Sequence, residues 1–108
     1  MADLNALVGE HLEKAHASAH GRSAHLLLHD GPLRQSLIVL TAGTELDEHV
    51  TPTAATLFVL RGRVVLTTKS STPSLELGAS EFAPIPHERH GLTALDDSAV
   101  VLTAVTEV

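Results

Sequence analysis

The sequence predicts an all-β domain preceded by one amphipathic helix. All eleven threonines lie after residue 40 and nine of the ten valines lie after residue 38. Such β-branched residues favour pleated, half-buried strands. Gly, Pro and Asp residues divide this region into short segments at regular spacing, and no helical pattern separates them. This arrangement is typical of a β-sandwich or a β-barrel.

Residues 1–20 carry the pattern of the helix. Asp3 is a suitable N-cap, because its carboxylate can accept a backbone N–H of the first turn. Apolar residues then recur at helical spacing in one stripe, which consists of Leu4, Leu7, Val8, Leu12, Ala15 and Ala19. Gly21 is placed to end the helix. We therefore expect an N-terminal helical arm over residues 1–21 and a single β domain over residues 22–108.

The turn residues delimit the expected strands. In chain order these strands are Ser23–His29, Leu33–Ala42, Glu48–Val50, Ala54–Arg61, Arg63–Lys69, Leu75–Leu77, Phe82–Ile85, Gly91–Leu95 and Ala99–Glu107. The Asp96–Asp97 pair is assigned to a turn, where an Asp side chain bonds its own backbone.

Composition limits the classes of function. A length of 108 residues fits one domain. The absence of Cys excludes disulfides, thiolate metal sites and a cysteine nucleophile. A formal charge of −6 disfavours a nucleic-acid partner, because phosphate neutralisation needs clustered Lys and Arg. The sequence shows neither a signal peptide nor an apolar run long enough to span a bilayer, so we expect a cytoplasmic protein without a membrane partner.

Two segments carry motifs. The first runs from Gly43 to His49 and continues to a Leu-Arg-Gly turn at Gly62. The second runs from Gly78 through Pro86 to His90. Together these segments resemble the two signature motifs of the cupin superfamily, at the spacing of a small single-domain cupin. The resemblance implies a jelly-roll cupin β-barrel with the N-terminal α-helix outside its motifs, and a homodimer.

The resemblance also implies a ligand set. In metal-binding cupins the first motif supplies His-x-His and a Glu, and the second supplies a His. Here His49 occupies the first position and His90 best matches the last. Thr51 replaces the second His and Ala55 replaces the Glu. His87, on the turn before His90, is a candidate replacement ligand.

The cofactor and the ligand therefore remain open. One expectation is a divalent transition metal (Fe, Mn, Ni or Zn) at His49 and His90, with or without His87. The alternative is no cofactor, with both imidazoles neutral and hydrogen-bonded in a polar pocket. Thr51, Phe58 and Arg89 are the expected contacts to an unidentified small molecule. Arg89 beside His90 suits a carboxylate ligand.

Five of the eight histidines lie within residues 1–30, outside both motifs. His16 and His20 are four residues apart and would share a helix face, either solvated or able to chelate a metal. His25 and His29 are expected on one face of a strand. His11, among acidic neighbours, is expected at the surface.

Three functions follow. The first is a non-enzymatic or regulatory protein with a small pocket inside the barrel that binds a small molecule or a metal. The second is a metal-dependent enzyme of dioxygenase or isomerase type that uses His49 and His90. The third is a structural or interaction module whose barrel is filled. The sequence does not decide whether the protein is an enzyme, nor whether the helix packs on its own barrel or on a partner.

Overall fold

The computed structural model describes residues 1–50, 54–68 and 74–106, and the side chains of residues 47–50 lie outside that description. One helix, α1 (Leu4–Ala17), precedes the strands. These are β1 (Arg22–Asp30), β2 (Leu33–Leu40), β3 (Glu45–Val50), β4 (Ala54–Arg61), β5 (Arg63–Thr68), β6 (Leu75–Gly78), β7 (Phe82–Pro84), β8 (Arg89–Ala94) and β9 (Ser98–Val105).

The strands form two antiparallel sheets. The five-stranded sheet has the order β1-β2-β9-β4-β7, and the four-stranded sheet has the order β3-β8-β5-β6. Leu40 of the first sheet and Val64 of the second belong to one buried cluster, so the two sheets enclose a common core. The expected all-β jelly-roll architecture is confirmed, and among the described strands it consists of two facing sheets.

Two apolar clusters stabilise the molecule, one on each side of the five-stranded sheet. The interior cluster lies between the sheets and contains Leu40, Ala55, Leu57, Val59, Val64, Leu66, Leu77, Ala83, Ile85, Leu92, Ala94 and Val100. The helix cluster lies between α1 and the outer face of the five-stranded sheet and contains Val8, Ala15, Leu37, Val39 and Ala99. Strand alternation explains this division, since successive side chains point to opposite faces.

Helix α1 packs on β1 and β2 of its own chain. The Asp3 carboxylate accepts the N–H of Ala6 at 3.2 Å, which confirms the predicted N-cap. The helix ends at Ala17, earlier than expected, and Gly21 lies in the following turn with φ +67. A Cβ at Gly21 would lie 2.6 Å from Thr41 Oγ1, so the close approach of this turn to the β2–β3 turn requires glycine.

Among the described residues, no helix is long and apolar enough to cross a membrane.

Gly62 forms the hairpin between β4 and β5, as predicted. Its φ is +86, and a Cβ there would lie 2.8 Å from Ser98 Cα and against the carbonyl oxygen of Asp97. The buried Ser98 hydroxyl accepts the N–H of Arg63 at 3.1 Å and donates to the carbonyl of Asp96 at 2.7 Å. The β4–β5 hairpin is thereby joined to the β8–β9 turn.

Candidate functional site

His90 lies inside the molecule, near the start of β8. It is 4% exposed, whereas its neighbour Arg89 is exposed. This agrees with strand alternation, because Leu92 and Ala94 are buried on the same side of β8 as His90. The structure therefore directs His90, rather than its neighbour Arg89, into the core.

The Nδ1 nitrogen of His90 has a defined partner. The Nδ1 atom lies 3.1 Å from the carbonyl oxygen of Glu88. A carbonyl oxygen only accepts, so Nδ1 carries the proton and donates. In a neutral imidazole this leaves the acceptor lone pair on Nε2. Histidines that ligate metals commonly have this arrangement, because the donated bond fixes both the tautomer and the ring orientation.

The backbone register places His90 in the middle of a row of three residues. His49 of β3 is directly opposite on one side, and Thr68 of β5 is directly opposite on the other. The sequence analysis did not identify Thr68. Alternation along β5 from the buried Val64 and Leu66 would have predicted that Thr68 faces the same side of the sheet. Of the predicted metal positions, the fold brings together the backbones of His49 and His90.

A bulge in β3 sets this pairing. Leu46 is opposite Leu92 and His49 is opposite His90, so β3 has one more residue than β8 between the two pairs. Without the extra residue, Glu48 would stand opposite His90. In the backbone register, the bulge therefore places His49, rather than Glu48, opposite the buried histidine.

Three other predicted site residues, which the structure describes, lie apart from the core. His87 is exposed in the connection between β7 and β8. Arg89 is exposed and pairs with Val50. Phe58 is half-buried on β4, opposite Phe82, on the face away from the interior cluster. Thr51 lies outside the described residues. The binding roles of these four residues stay predictions.

The cavity beside His90 is small and apolar. Its volume is about 20 Å³, which is room for about one water molecule. Its lining consists of eight aliphatic residues and one histidine, namely Ile38, Leu46, Leu57, Leu66, Ile85, His90, Leu92, Val100 and Leu102. In the described part of the chain, no three His, Asp or Glu side chains come together as a metal site.

A second buried histidine lies on the inward face of α1. His11 is 5% exposed, so the expectation of a surface position was wrong. Its Nδ1 lies 2.6 Å from the Ser23 hydroxyl oxygen, and its ring meets that of His25 edge-on with centroids 5.3 Å apart. His11 lies three residues after Val8 and four before Ala15, so these three residues share one helix face. The sequence analysis missed this signal.

The remaining histidines do not form the predicted pairs. A bulge in β1 between Leu26 and Leu28 changes the facing of the strand. His25 pairs with Leu37 and His29 pairs with Arg34, and these partners are three apart on β2, so the two histidines lie on opposite faces. The expectation of a shared face was therefore wrong.

His16 and His20 also differ in setting. His20 lies in the turn beyond the helix, and His16 Nε2 lies 2.9 Å from the Asp97 carboxylate. Asp97 also accepts the backbone N–H of Ala42 at 2.8 Å, so it bonds another turn rather than its own. The hydrogen bond from the Ala42 N–H lowers the pKa of Asp97 below its usual 3.8, and the hydrogen bond and charge of His16 lower it further. Burial acts in the opposite direction and raises this pKa. Asp97 thus links α1, the β2–β3 turn and the β8–β9 turn.

Comparison with solved structures identifies the fold. The chain is similar to a cupin superfamily protein from Desulfitobacterium hafniense, with a TM-score of 0.73 and 15% identity over 80% of this chain and 78% of that chain. It is similar to a cupin-2 domain containing protein from Shewanella frigidimarina, with a TM-score of 0.71 and 15% identity over 97% of this chain and 94% of that one. The DMSP lyase DddQ from Ruegeria pomeroyi has a TM-score of 0.65 and 20% identity, over 77% of this chain and 46% of its own.

No protein-family model matches the sequence, and no curated protein matches it. The structural likeness establishes that the chain has the fold of small cupin domains, as the motifs predicted.

Proposed function

We propose that this cupin-fold chain is a non-enzymatic binding protein that holds a divalent transition metal ion between His49 and His90. The observation that carries the proposal is the direct pairing of these residues across β3 and β8, with His90 buried. Directly opposite residues in an antiparallel pair have Cβ atoms about 4.5–5.5 Å apart. Two imidazoles at that spacing can reach one metal, for which Zn–N distances are about 2.0–2.1 Å.

The donor set fits a borderline metal. Imidazole nitrogen suits Fe, Ni and Zn and tolerates Mn. The Glu88 carbonyl acts on His90 as an outer partner, because it holds the ring in the tautomer that ligation requires. With two protein ligands, fewer than the three usual in catalytic sites, the remaining positions are left to water or to a small ligand. This favours reversible binding.

The apolar cavity constrains the small molecule. A space of about 20 Å³ beside His90 takes no group much larger than a water molecule. A small ligand would therefore bind at the metal. Most of its volume would lie outside the cavity, on the side of strands β3 and β8. His87 lies in the connection leading into β8, and we retain it as a candidate third ligand on that side.

A second candidate is a filled interior without a ligand, which the small aliphatic cavity favours. In that case His90 is a core histidine whose hydrogen bond to Glu88 offsets part of its burial. A metal-dependent enzyme is the third candidate, supported by the fold shared with the DMSP lyase DddQ.

Metal content tests the proposal. The protein is purified without a histidine tag, dialysed against Mn, Fe, Ni or Zn, desalted, and measured by elemental analysis. About one ion per chain is expected, lost in both His49→Ala and His90→Ala. The matched control is His29→Ala, an exposed histidine on β1, which should keep its metal.

The outcomes separate the three candidates. No bound metal under any loading condition, or metal retained in both variants, would overturn the proposal. Absence of metal with a stable fold supports the filled interior. Metal together with turnover of a substrate that His49→Ala abolishes would establish the enzyme.

A further inference from the structure

His11 and His25 bring two imidazoles together between α1 and β1, on the outer face of the five-stranded sheet. Their ring centroids are 5.3 Å apart, and the ring planes meet at 66°. The two residues come from different elements, since His11 lies on the helix and His25 lies on the strand. An ion bound by both rings would therefore join the helix to the sheet.

The strand register explains why these rings meet. Ser23 and His25 are two residues apart on β1, and they pair with Val39 and Leu37 of β2. Both of these partners belong to the helix cluster, so Ser23 and His25 point to the face of the sheet that α1 covers. His11 reaches the same face from the buried side of the helix.

The Nε2 atom of His11 is available to a ligand. Its other ring nitrogen, Nδ1, lies 2.6 Å from the Ser23 hydroxyl oxygen. Within the described part of the chain, Nε2 has no hydrogen-bond partner, and no buried side-chain nitrogen or oxygen lacks one. Nε2 therefore keeps contact with solvent, although the residue is 5% exposed. When Nδ1 donates to Ser23, the hydroxyl fixes the ring and leaves the lone pair on Nε2 for a metal.

The distance between the two rings suits one shared ion. Zinc–nitrogen distances are about 2.0–2.1 Å, and at a tetrahedral angle two ligating imidazoles then have centroids roughly 5 Å apart. The separation of 5.3 Å agrees with this value. Imidazole nitrogen favours Zn²⁺, Ni²⁺ and Cu²⁺, whereas Mg²⁺ prefers oxygen ligands.

The charge and the exposure of the surroundings also favour a cation. With neutral histidines, α1 has two Glu and one Lys and is net negative, while the charges of β1 balance. The whole chain has a charge of −6, which attracts cations. Because His25 is exposed, an ion can enter this site from solvent.

We infer that His11 and His25 bind one divalent transition-metal ion, which fastens α1 to the five-stranded sheet. Water completes its coordination. Because one of the two protein ligands is exposed, the ion exchanges with solvent and is lost on desalting, unlike the ion proposed between His49 and His90. The inference is independent of that proposal, since none of its observations involves the interior. An ion that binds the folded chain alone stabilises it by mass action.

Thermal unfolding of the full chain carrying His49→Ala tests the inference, because this variant removes one ligand of the proposed interior site. Relative to EDTA, free Zn²⁺ at ten times its dissociation constant should raise the unfolding midpoint by at least about 5 °C. Adding His25→Ala should abolish this rise and leave the midpoint in EDTA nearly unchanged, because His25 is exposed. Adding His29→Ala, at an exposed histidine on the opposite face of β1, is the matched control and should keep the rise. Mg²⁺ should have no effect.

Two further measurements locate the ion in the His49→Ala background. Substoichiometric Ni²⁺, which is paramagnetic, should broaden the imidazole NMR signals of His11 and His25 before those of His20 and His29. His25→Cys should restore the Zn²⁺-dependent rise that His25→Ala abolishes, because a thiolate also ligates zinc.

The outcomes separate this site from the interior one. No Zn²⁺-dependent rise in His49→Ala, a rise of equal size after adding His25→Ala, or broadening centred on other histidines would overturn the inference. A rise in the wild type that His49→Ala abolishes would assign the ion to the interior and would also overturn it, while leaving the proposed function intact. A rise abolished by His25→Ala, together with no ion retained by the desalted wild type, would support this site and reject the interior one.

Discussion

Both faces of the five-stranded sheet carry a buried apolar cluster, but the two clusters are covered in different ways. The inner face is covered by a second sheet, and it meets the interior cluster of twelve buried residues. The outer face is covered by one helix, and it meets the helix cluster of five. The larger cluster is fixed by strand pairs on both sides, whereas the smaller one depends on a helix of 14 residues.

Each face also has a buried histidine nearby, and the two are held by different partners. His90 bonds a backbone carbonyl, which no side-chain substitution removes. His11 bonds the side chain of Ser23. The interior histidine is thus oriented by a backbone carbonyl, while His11, on the inward face of the helix, depends on one hydroxyl group. A single side-chain substitution can therefore remove the hydroxyl partner of His11, but not the carbonyl partner of His90.

The largest expected effect compares Leu40→Ala with Leu37→Ala. Both leucines are fully buried on β2, but Leu40 faces the interior and Leu37 faces α1. The free energy of unfolding should fall by about 3–5 kcal/mol for Leu40→Ala and by about 2–3 kcal/mol for Leu37→Ala. The helix can shift to close the space left by Leu37, whereas two paired sheets cannot.

Urea denaturation measures both values, and amide hydrogen exchange locates the effect. Leu37→Ala should raise exchange in α1 more than in β8. Equal losses of stability, with no difference in exchange, would contradict the distinction between the clusters.

A smaller effect is expected for Ser23→Ala. The substitution leaves the buried Nδ1 of His11 without its partner, so stability should fall by about 1–3 kcal/mol. Ser36→Ala on β2 is the control, with an expected change within about 0.5 kcal/mol. If Ser23→Ala behaves as its control does, the hydroxyl does not hold His11.

The smallest effect concerns the end of α1 and depends on pH. Because the folded-state pKa of Asp97 is lowered, its contribution to stability is present above the usual value of 3.8 and is lost as pH falls through the lower folded value. Asp97→Asn should therefore reduce stability by less than about 1 kcal/mol at neutral pH, since the side chain is 40% exposed.

The difference between wild type and Asp97→Asn should shrink in denaturation experiments as pH falls below about 3.8. Asp96→Asn, at the exposed neighbouring position, controls for the loss of one charge. A wild-type advantage that stays constant down to pH 2 would show that the carboxylate charge plays no part.

The strands could be predicted because their limits are local. Gly62 ends β4 where expected, since a positive φ at a hairpin favours glycine. The burial of His90 rather than Arg89 also agreed with the motif. Both features depend on residues close together in the sequence.

The bulges could not be predicted, because they depend on pairing between distant segments. The bulge in β1 separates His25 from His29, and the bulge in β3 brings His49 rather than Glu48 opposite His90. One added residue exchanges the faces of all that follow it in a strand. Similarly, the hydrogen-bond partner of His11 depends on tertiary packing, because Ser23 is twelve residues away on a strand beneath the helix.

The burial of β2 on both faces restricts how this protein can change over evolution. Leu37 and Val39 face the helix, and Leu40 faces the opposite sheet. Because the segment packs on two environments, each substitution must fit the face on which its side chain lies, or be matched by a second change in α1 or in the facing sheet. Sequence drift should therefore be slow across Leu37–Leu40 and fast along the exposed residues of the neighbouring edge. Related chains could retain this short apolar segment after most other identity is lost.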